Sequence, residues 1–116
     1  MLSIRPAQFS DWLQQVTDGQ PGVKPLLLDV REPWECQTAA VRPDDGFDVL
    51  HMPMRTVPAR YPELDRDRPI ACLCHHGARS AQVVHFLMQQ GFSNVVNVYG
   101  GINAWSSERD PGVPLY

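Results

Sequence analysis

Near the start of the chain the apolar positions Phe9, Trp12, Leu13 and Val16 recur at i, i+3, i+4 and i+7, the spacing of one buried stripe on a helix. Pro6 suits the first helical position and Gly19 stands just past the end. After the breakers Gly19-Gln20-Pro21-Gly22 the period changes. Pro25-Leu26-Leu27-Leu28-Asp29-Val30 is a continuous apolar run, the pattern of a strand covered on both faces and hence of parallel pairing. Pro33 to Val41 leave room for a short helix, Arg42-Pro43-Asp44-Asp45-Gly46 read as loop, and Phe47-Asp48-Val49-Leu50 as a short strand. Pro58 to Leu64 predict one or two helical turns, and Pro69 introduces a strand over Ile70-Ala71-Cys72-Leu73-Cys74. Beyond it Ala81, Val84, Leu87 and Met88 share a helical face that Gly91 stops. Asn94 to Tyr99 form a further strand, broken by Gly100-Gly101 before Ile102, Ala104 and Trp105 begin a last short helix.

Strand and helix therefore alternate, which predicts an α/β layer structure with helices covering both faces of a mostly parallel sheet. Ligands of such sheets bind beyond the carboxyl ends of the strands, and Cys74 falls at such an end. With 116 residues, 43% of them hydrophobic, the chain can fill one core without disulfide staples, so a single domain over residues 1–116 is expected. The net charge of −3 and the scattering of the ten Lys and Arg residues argue against a nucleic-acid or membrane-surface footprint. Three cysteines, an odd number, argue against a disulfide framework and for a reducing compartment. Met1-Leu2-Ser3-Ile4-Arg5-Pro6 lacks a basic segment followed by an apolar one, and no run approaches transmembrane length, so the cytoplasm is the expected location.

The candidate chemistry lies in Cys74-His75-His76-Gly77-Ala78-Arg79-Ser80, between the strand and the helix. The first N–H groups of a helix have no intrahelical partner and, with the helix dipole, favour negative charge. A thiolate placed there is stabilised and reactive at neutral pH. Arg79 adds a permanent cation with a forked donor, suited to an oxyanion and equally to fixing the loop on a neighbouring carboxylate. A buried cysteine often serves only as a small apolar side chain, but Gly77, Arg79 and the helix start favour catalysis for Cys74. His75 and His76 sit where the helix N-terminus disfavours imidazolium, so both are expected mainly neutral, facing substrate or lying on the loop rim.

Other polar residues receive structural readings. Cys72 and Cys74, two apart on a strand, stand about 6.5 Å from each other by strand rise, too far to share a tetrahedral zinc, so Cys72 is expected to pack in the core. Cys36 is in principle able to form a disulfide with a reactive thiol, although most lone cysteines have no such role. Asp29 and Arg31, at a strand end, are read as an ion pair fixing the loop. Trp34 and Trp105 are read as core or rim packing, and His51 as a structural histidine.

These segments resemble the rhodanese-like sulfurtransferases. Cys74 to Arg79 spans six residues, one fewer than the corresponding loop of cysteine-based tyrosine phosphatases, which favours sulfur over phosphate. Leu28-Asp29-Val30-Arg31-Glu32 with Trp34-Glu35, and Gly100-Gly101-Ile102-Asn103-Ala104-Trp105, are similar to further family segments. His51-Met52-Pro53-Met54 stands in the place of another, with Met54 departing from the usual small residue. The resemblance runs from about Pro6 to Trp105. It implies a three-layer rhodanese-like domain of about five mostly parallel strands flanked by helices, with no cofactor and no metal. It also implies a sulfane sulfur carried on Cys74 as a persulfide, with the backbone N–H groups of His75, His76, Gly77, Ala78, Arg79 and Ser80 as its cradle.

The expected function is transfer of sulfur from a small sulfur-containing anion such as thiosulfate, or from a persulfide donor, to cyanide or a thiol by double displacement. A relay that passes sulfur only to a protein acceptor is the alternative. A phosphatase or arsenate reductase using the same thiolate ranks below both. The histidines give the loop less fixed positive charge than lysines or arginines would, so a dianion is expected to bind weakly.

Overall fold

A computed structural model describes residues 3–116; Met1 and Leu2, part of the segment read for a leader, lie outside them. Strand β1 (Ser3–Ile4) precedes α1 (Phe9–Gly19), and β2 (Leu26–Asp29) leads into α2 (Pro33–Thr38). Strand β3 (Asp48–His51), α3 (Val57–Arg60), β4 (Ile70–Leu73), α4 (Ala78–Gln89), β5 (Val95–Val98) and α5 (Gly101–Glu108) follow. The five strands form one sheet in the order β1-β5-β4-β2-β3, every neighbouring pair parallel. Among the described residues no helix is long and apolar enough to cross a membrane.

Strands β2, β4 and β5 are buried along their whole length, as mainly apolar strands covered on both faces are, with Asp29 of β2 and Asn97 of β5 as buried polar exceptions. Successive side chains alternate between two cores. Leu26, Leu28, Ile70, Cys72, Cys74 and Val95 meet Val57 of α3 and Val83, Val84 and Leu87 of α4. Leu27, Ala71, Leu73, Val96 and Val98 meet Phe9 and Trp12 of α1 and Ile102 and Trp105 of α5. The result is the three-layer α/β arrangement expected, with the ring of Phe9 edge-on to Phe47 and Trp105 at the centre of the second core.

The structure departs from the sequence reading in several places. Strand β1 has only two residues, too few for a period to register, and adds to β5 through the pairs Ser3–Asn97 and Ile4–Val98. The helical face of α4 is turned: Ser80, Val83, Val84 and Leu87 are buried, whereas Met88 is 48% exposed and Ala81 only half-buried. The i, i+3, i+4, i+7 stripe begins at Ser80, whose polar side chain hides the register from a count of apolar residues. Gly19 is the last helical residue rather than the one beyond it, and Pro6 opens a 3-10 turn over Pro6–Gln8 instead of α1 itself. Phe47 leaves the ladder for the core, so β3 runs one residue later than expected. The turns read over Pro58 to Leu64 are the short α3 followed by a 3-10 turn, Tyr61–Glu63.

Candidate active site

Cys74 continues β4 at its carboxyl end and is 1% exposed. The chain then turns through His75 and His76 to Gly77, whose φ of +109° belongs to the left-handed region that glycine enters without steric cost. That turn brings the Gly77 N–H back onto Cys74 Sγ at 3.0 Å. Ser80, buried in the first turn of α4, places its hydroxyl 3.2 Å from the same sulfur. Two donors therefore converge on the thiol. The N-terminus of α5 holds the loop from behind: Ile102 N–H donates to the Cys74 carbonyl at 2.8 Å and Asn103 N–H to the His75 carbonyl at 3.2 Å. In a trans peptide the N–H opposes the C=O, so this grip turns the N–H groups of His75 and His76 away from α5. A Cβ on Gly101 would collide with both carbonyl oxygens, which is why a glycine opens the helix there.

Arg79 is held by a residue that sequence reasoning quoted only as part of a matching segment. Its two terminal nitrogens donate to the two carboxylate oxygens of Glu35, each at 2.7 Å, a bidentate pair. Glu35 also accepts from the backbone of Glu32 at 2.8 Å and from the Tyr116 hydroxyl at 2.9 Å. The Arg79 guanidinium, with these added donors outweighing burial, holds the Glu35 carboxyl down to about 2. Arg79 thus has the neighbouring carboxylate that its loop-fixing reading requires, and that carboxylate is Glu35. No single-residue pattern announces this contact, because its partners lie 44 residues apart.

Behind this pair lies a second one, the ion pair expected between Asp29 and Arg31. Arg31 is fully buried, with Nε 2.9 Å and Nη2 2.6 Å from the two Asp29 oxygens. Its Nη1 donates to the Glu35 carbonyl at 3.3 Å and to the Tyr116 hydroxyl at 3.1 Å. Its own carbonyl lies 2.6 Å from His51 Nε2, giving that histidine the structural part expected of it. Asp29, Arg31, Tyr116, Glu35 and Arg79 form one continuous polar chain from the end of β2 to the start of α4.

His75 is sandwiched between two rings, His76 at 3.9 Å and Tyr116 at 3.9 Å, the latter nearly parallel at 7°. Burial, then the neighbouring His76, pushes its pKa down, in line with a neutral ring at pH 7. Its Nε2 is buried without a hydrogen-bond partner. His76 is exposed on the rim, and Trp34, 62% exposed, stands edge-on to Tyr116. Sequence reasoning did not single out Tyr116, whose partners lie 81 and 85 residues away. Trp105 is core, as one of its two readings held.

The other thiols are unsuited to nucleophilic work. Burial raises the pKa of Cys72 far above the ordinary thiol value, and it packs in the same core as Cys74. Burial, and next the Asp29 carboxylate, push Cys36 up to about 11, so it stays protonated. Cys36 lines a cavity of about 740 Å³ with Arg42, Trp105 and Arg109, whereas Cys74 is not among its lining residues. Among the described residues no group of three or more His, Cys, Asp or Glu side chains is placed to hold a metal ion.

Residues 9–108 match the family model of the rhodanese-like domain. The chain is 39% identical over 90 residues to a sulfurtransferase of Allochromatium vinosum, covering 78% of this chain and 77% of that protein. It is 39% identical over 94 residues to the chloroplastic rhodanese-like/PpiC domain-containing protein 12 of Arabidopsis thaliana, covering 78% of this chain but only 30% of that protein. The crystal structure of a rhodanese-related protein from Thermoplasma volcanium superposes over 100% of both chains with a TM-score of 0.75 at 32% identity.

Proposed function

The chain belongs to the rhodanese-like domain family, and from that premise we propose that it is a sulfurtransferase in which Cys74 carries a sulfane sulfur as a persulfide. The whole chain acts as one rhodanese-like domain. In the loading step the Cys74 thiolate attacks the outer sulfur of a donor such as thiosulfate. The Sγ–S bond forms as the donor's S–S bond breaks, and the electron pair leaves on sulfite. In the second step cyanide or a thiolate takes the outer sulfur and the Cys74 thiolate returns, giving double displacement.

The observation that carries this reading is the convergence of the Gly77 N–H and the Ser80 hydroxyl on Sγ, just beyond the end of β4, where α5 ties back the carbonyls of Cys74 and His75. His75, His76, Gly77, Ala78, Arg79 and Ser80 form the binding loop, with Arg79 holding its shape through Glu35. Three free thiols are in keeping with action in the reducing cytoplasm. The test is intact-protein mass after incubation with thiosulfate, mercaptopyruvate or low-molecular-weight persulfides. Wild type should gain one sulfur atom and Cys74→Ser none; no gain by wild type, or equal gain by the variant, ends the reading.

A second reading, a relay that hands sulfur to a protein acceptor, draws on the exposure of Trp34 beside the site, where an apolar ring can meet a partner surface. Its mark is stoichiometric loading with negligible turnover to cyanide or small thiols. Turnover of a phosphate ester comparable with that of thiosulfate would instead favour the phosphatase reading.

A further inference from the structure

Strand β5 carries one polar residue in its buried interior. Asn97 is 4% exposed and stands beside Cys72 in the parallel register. Val96 and Val98 point to the core of α1 and α5, so alternation puts Asn97 on the face of Cys72, Cys74 and the first turn of α4. A buried amide is costly unless both of its ends are bonded. Here Nδ2 donates to the Gly77 carbonyl at 3.2 Å and Oδ1 accepts from the Ser80 hydroxyl at 2.5 Å. A carbonyl can only accept, so Gly77 fixes the orientation: Nδ2 toward the loop, Oδ1 toward Ser80.

Ser80 is where the demands conflict. Its hydroxyl has one proton and three acceptors within reach: Asn97 Oδ1 at 2.5 Å, Cys74 Sγ at 3.2 Å and the Gly77 carbonyl at 3.2 Å. The Gly77 carbonyl already receives the Ala81 N–H at 3.1 Å as well as Asn97, so the competition lies between Asn97 and sulfur. When Sγ carries the charge of a thiolate, the proton is best placed on sulfur, and the lone pairs of Ser80 Oγ and Asn97 Oδ1 then face each other. When Sγ is bonded to a second sulfur, the charge moves to the outer atom and the proton returns to Asn97.

We propose that Asn97 is a positioning residue that favours the sulfur-loaded state of Cys74 over the bare thiolate, by competing for the single proton of Ser80. The inference rests on the persulfide reading above. Loading and unloading keep the balance already given; the Ser80 proton changes acceptor and is neither gained nor lost. The domain would thereby hold its sulfur until a strong nucleophile arrives.

Asn97→Leu keeps the bulk without the amide and Asn97→Ala removes both, with thermal melts identifying folded protein. Two quantities are compared with wild type: the ionisation constant of sulfur-free Cys74, read from the pH dependence of its alkylation by iodoacetamide, and the rate at which the thiosulfate-loaded protein loses sulfur to a fixed concentration of a small thiol. A hydrogen bond redirected to the thiolate stabilises it both as the ionised form and as the leaving group, so both should rise, by roughly threefold to tenfold. The two gains should vanish in a Ser80→Ala background, where no proton is left to redirect. A residue that merely propped the loop would make Cys74 harder to ionise when lost. An ionisation constant unchanged or lowered in the folded variants, or the same gains without the Ser80 hydroxyl, overturns the proposal. Wild-type protein that gains no sulfur from any donor fails the persulfide reading, and the proposal falls with it; failure at Asn97 alone leaves loading of wild type intact.

Discussion

Two polar networks meet at the loop and use opposite physics. The inner one, around Cys74 Sγ, consists of Gly77, Ser80 and Asn97 and contains no charged side chain. The outer one, from Asp29 through Arg31, Glu35 and Tyr116 to Arg79, is built from ion pairs and the hydrogen bonds that satisfy them. Charges hold firmly where water is excluded, but they also fix a field. In the proposed reaction the sulfur alternates between bare and loaded states, and such an atom is better met by dipoles that can change partners. The outer network accordingly sets shape, and the inner one meets Cys74 Sγ.

The sharpest way to break this division is at its deepest charge. Arg31→Ala leaves Asp29 buried without its partner and should cost about 3–5 kcal/mol in urea unfolding; a loss below 1 kcal/mol would mean that the outer network is not structural. Glu35→Gln should cost less, about 1–3 kcal/mol, because the shape and one acceptor survive. Its effect has a pH signature. The Glu35 carboxyl is held down to about 2 from an ordinary 4.5, so its stabilisation is complete above pH 4.5 and is lost as pH falls toward 2. The stability gap between wild type and Glu35→Gln should therefore shrink across that window; a constant gap refutes the assignment.

Tyr116→Phe deletes the hydroxyl that joins Arg31 to Glu35 and keeps the ring stacked on His75. We expect about 1 kcal/mol of destabilisation with sulfur loading within twofold of wild type. The smallest effect is expected at the rim. Arg79, the one permanent cation of the loop, is paired with Glu35, so His76→Lys supplies charge that is not already engaged. Loading from thiosulfate should rise roughly fivefold at low salt, for about 1 kcal/mol of attraction to a dianion, and less at high salt. Loading from an uncharged persulfide donor should not change; an equal gain with both donors would place the effect elsewhere.

Much of the architecture was legible in the sequence because it is written in local periods. The run Leu26-Leu27-Leu28 and the stripe Phe9, Trp12, Leu13, Val16 each signal their environment within one element. The turn around Cys74 was legible for the same reason: the contacts of Gly77 and Ser80 with Cys74 span three and six residues. What stayed hidden is long-range and polar. Glu35 meets Arg79 across 44 residues and Tyr116 meets Arg31 across 85, with no repeat to mark either. Asn97 read as one position of a strand, and Ser80 concealed the buried face of α4, because burial of a polar side chain depends on a partner that pattern counting does not include.

The grip of α5 on the Cys74 and His75 carbonyls bears on how far such a loop can diverge. The span available to it is bounded on one side by β4, on the other by the first turn of α4, and from behind by two fixed anchor points. Inserting a single residue would force the chain either to release Ile102 or Asn103 or to push Gly77 toward the backbone nitrogen of Gly100, only 3.1 Å from where a Cβ on Gly77 would lie. The width of the loop is thus gauged by a helix far along the chain, and a longer loop would have to begin by rebuilding Gly100-Gly101-Ile102 rather than the cysteine's own neighbours.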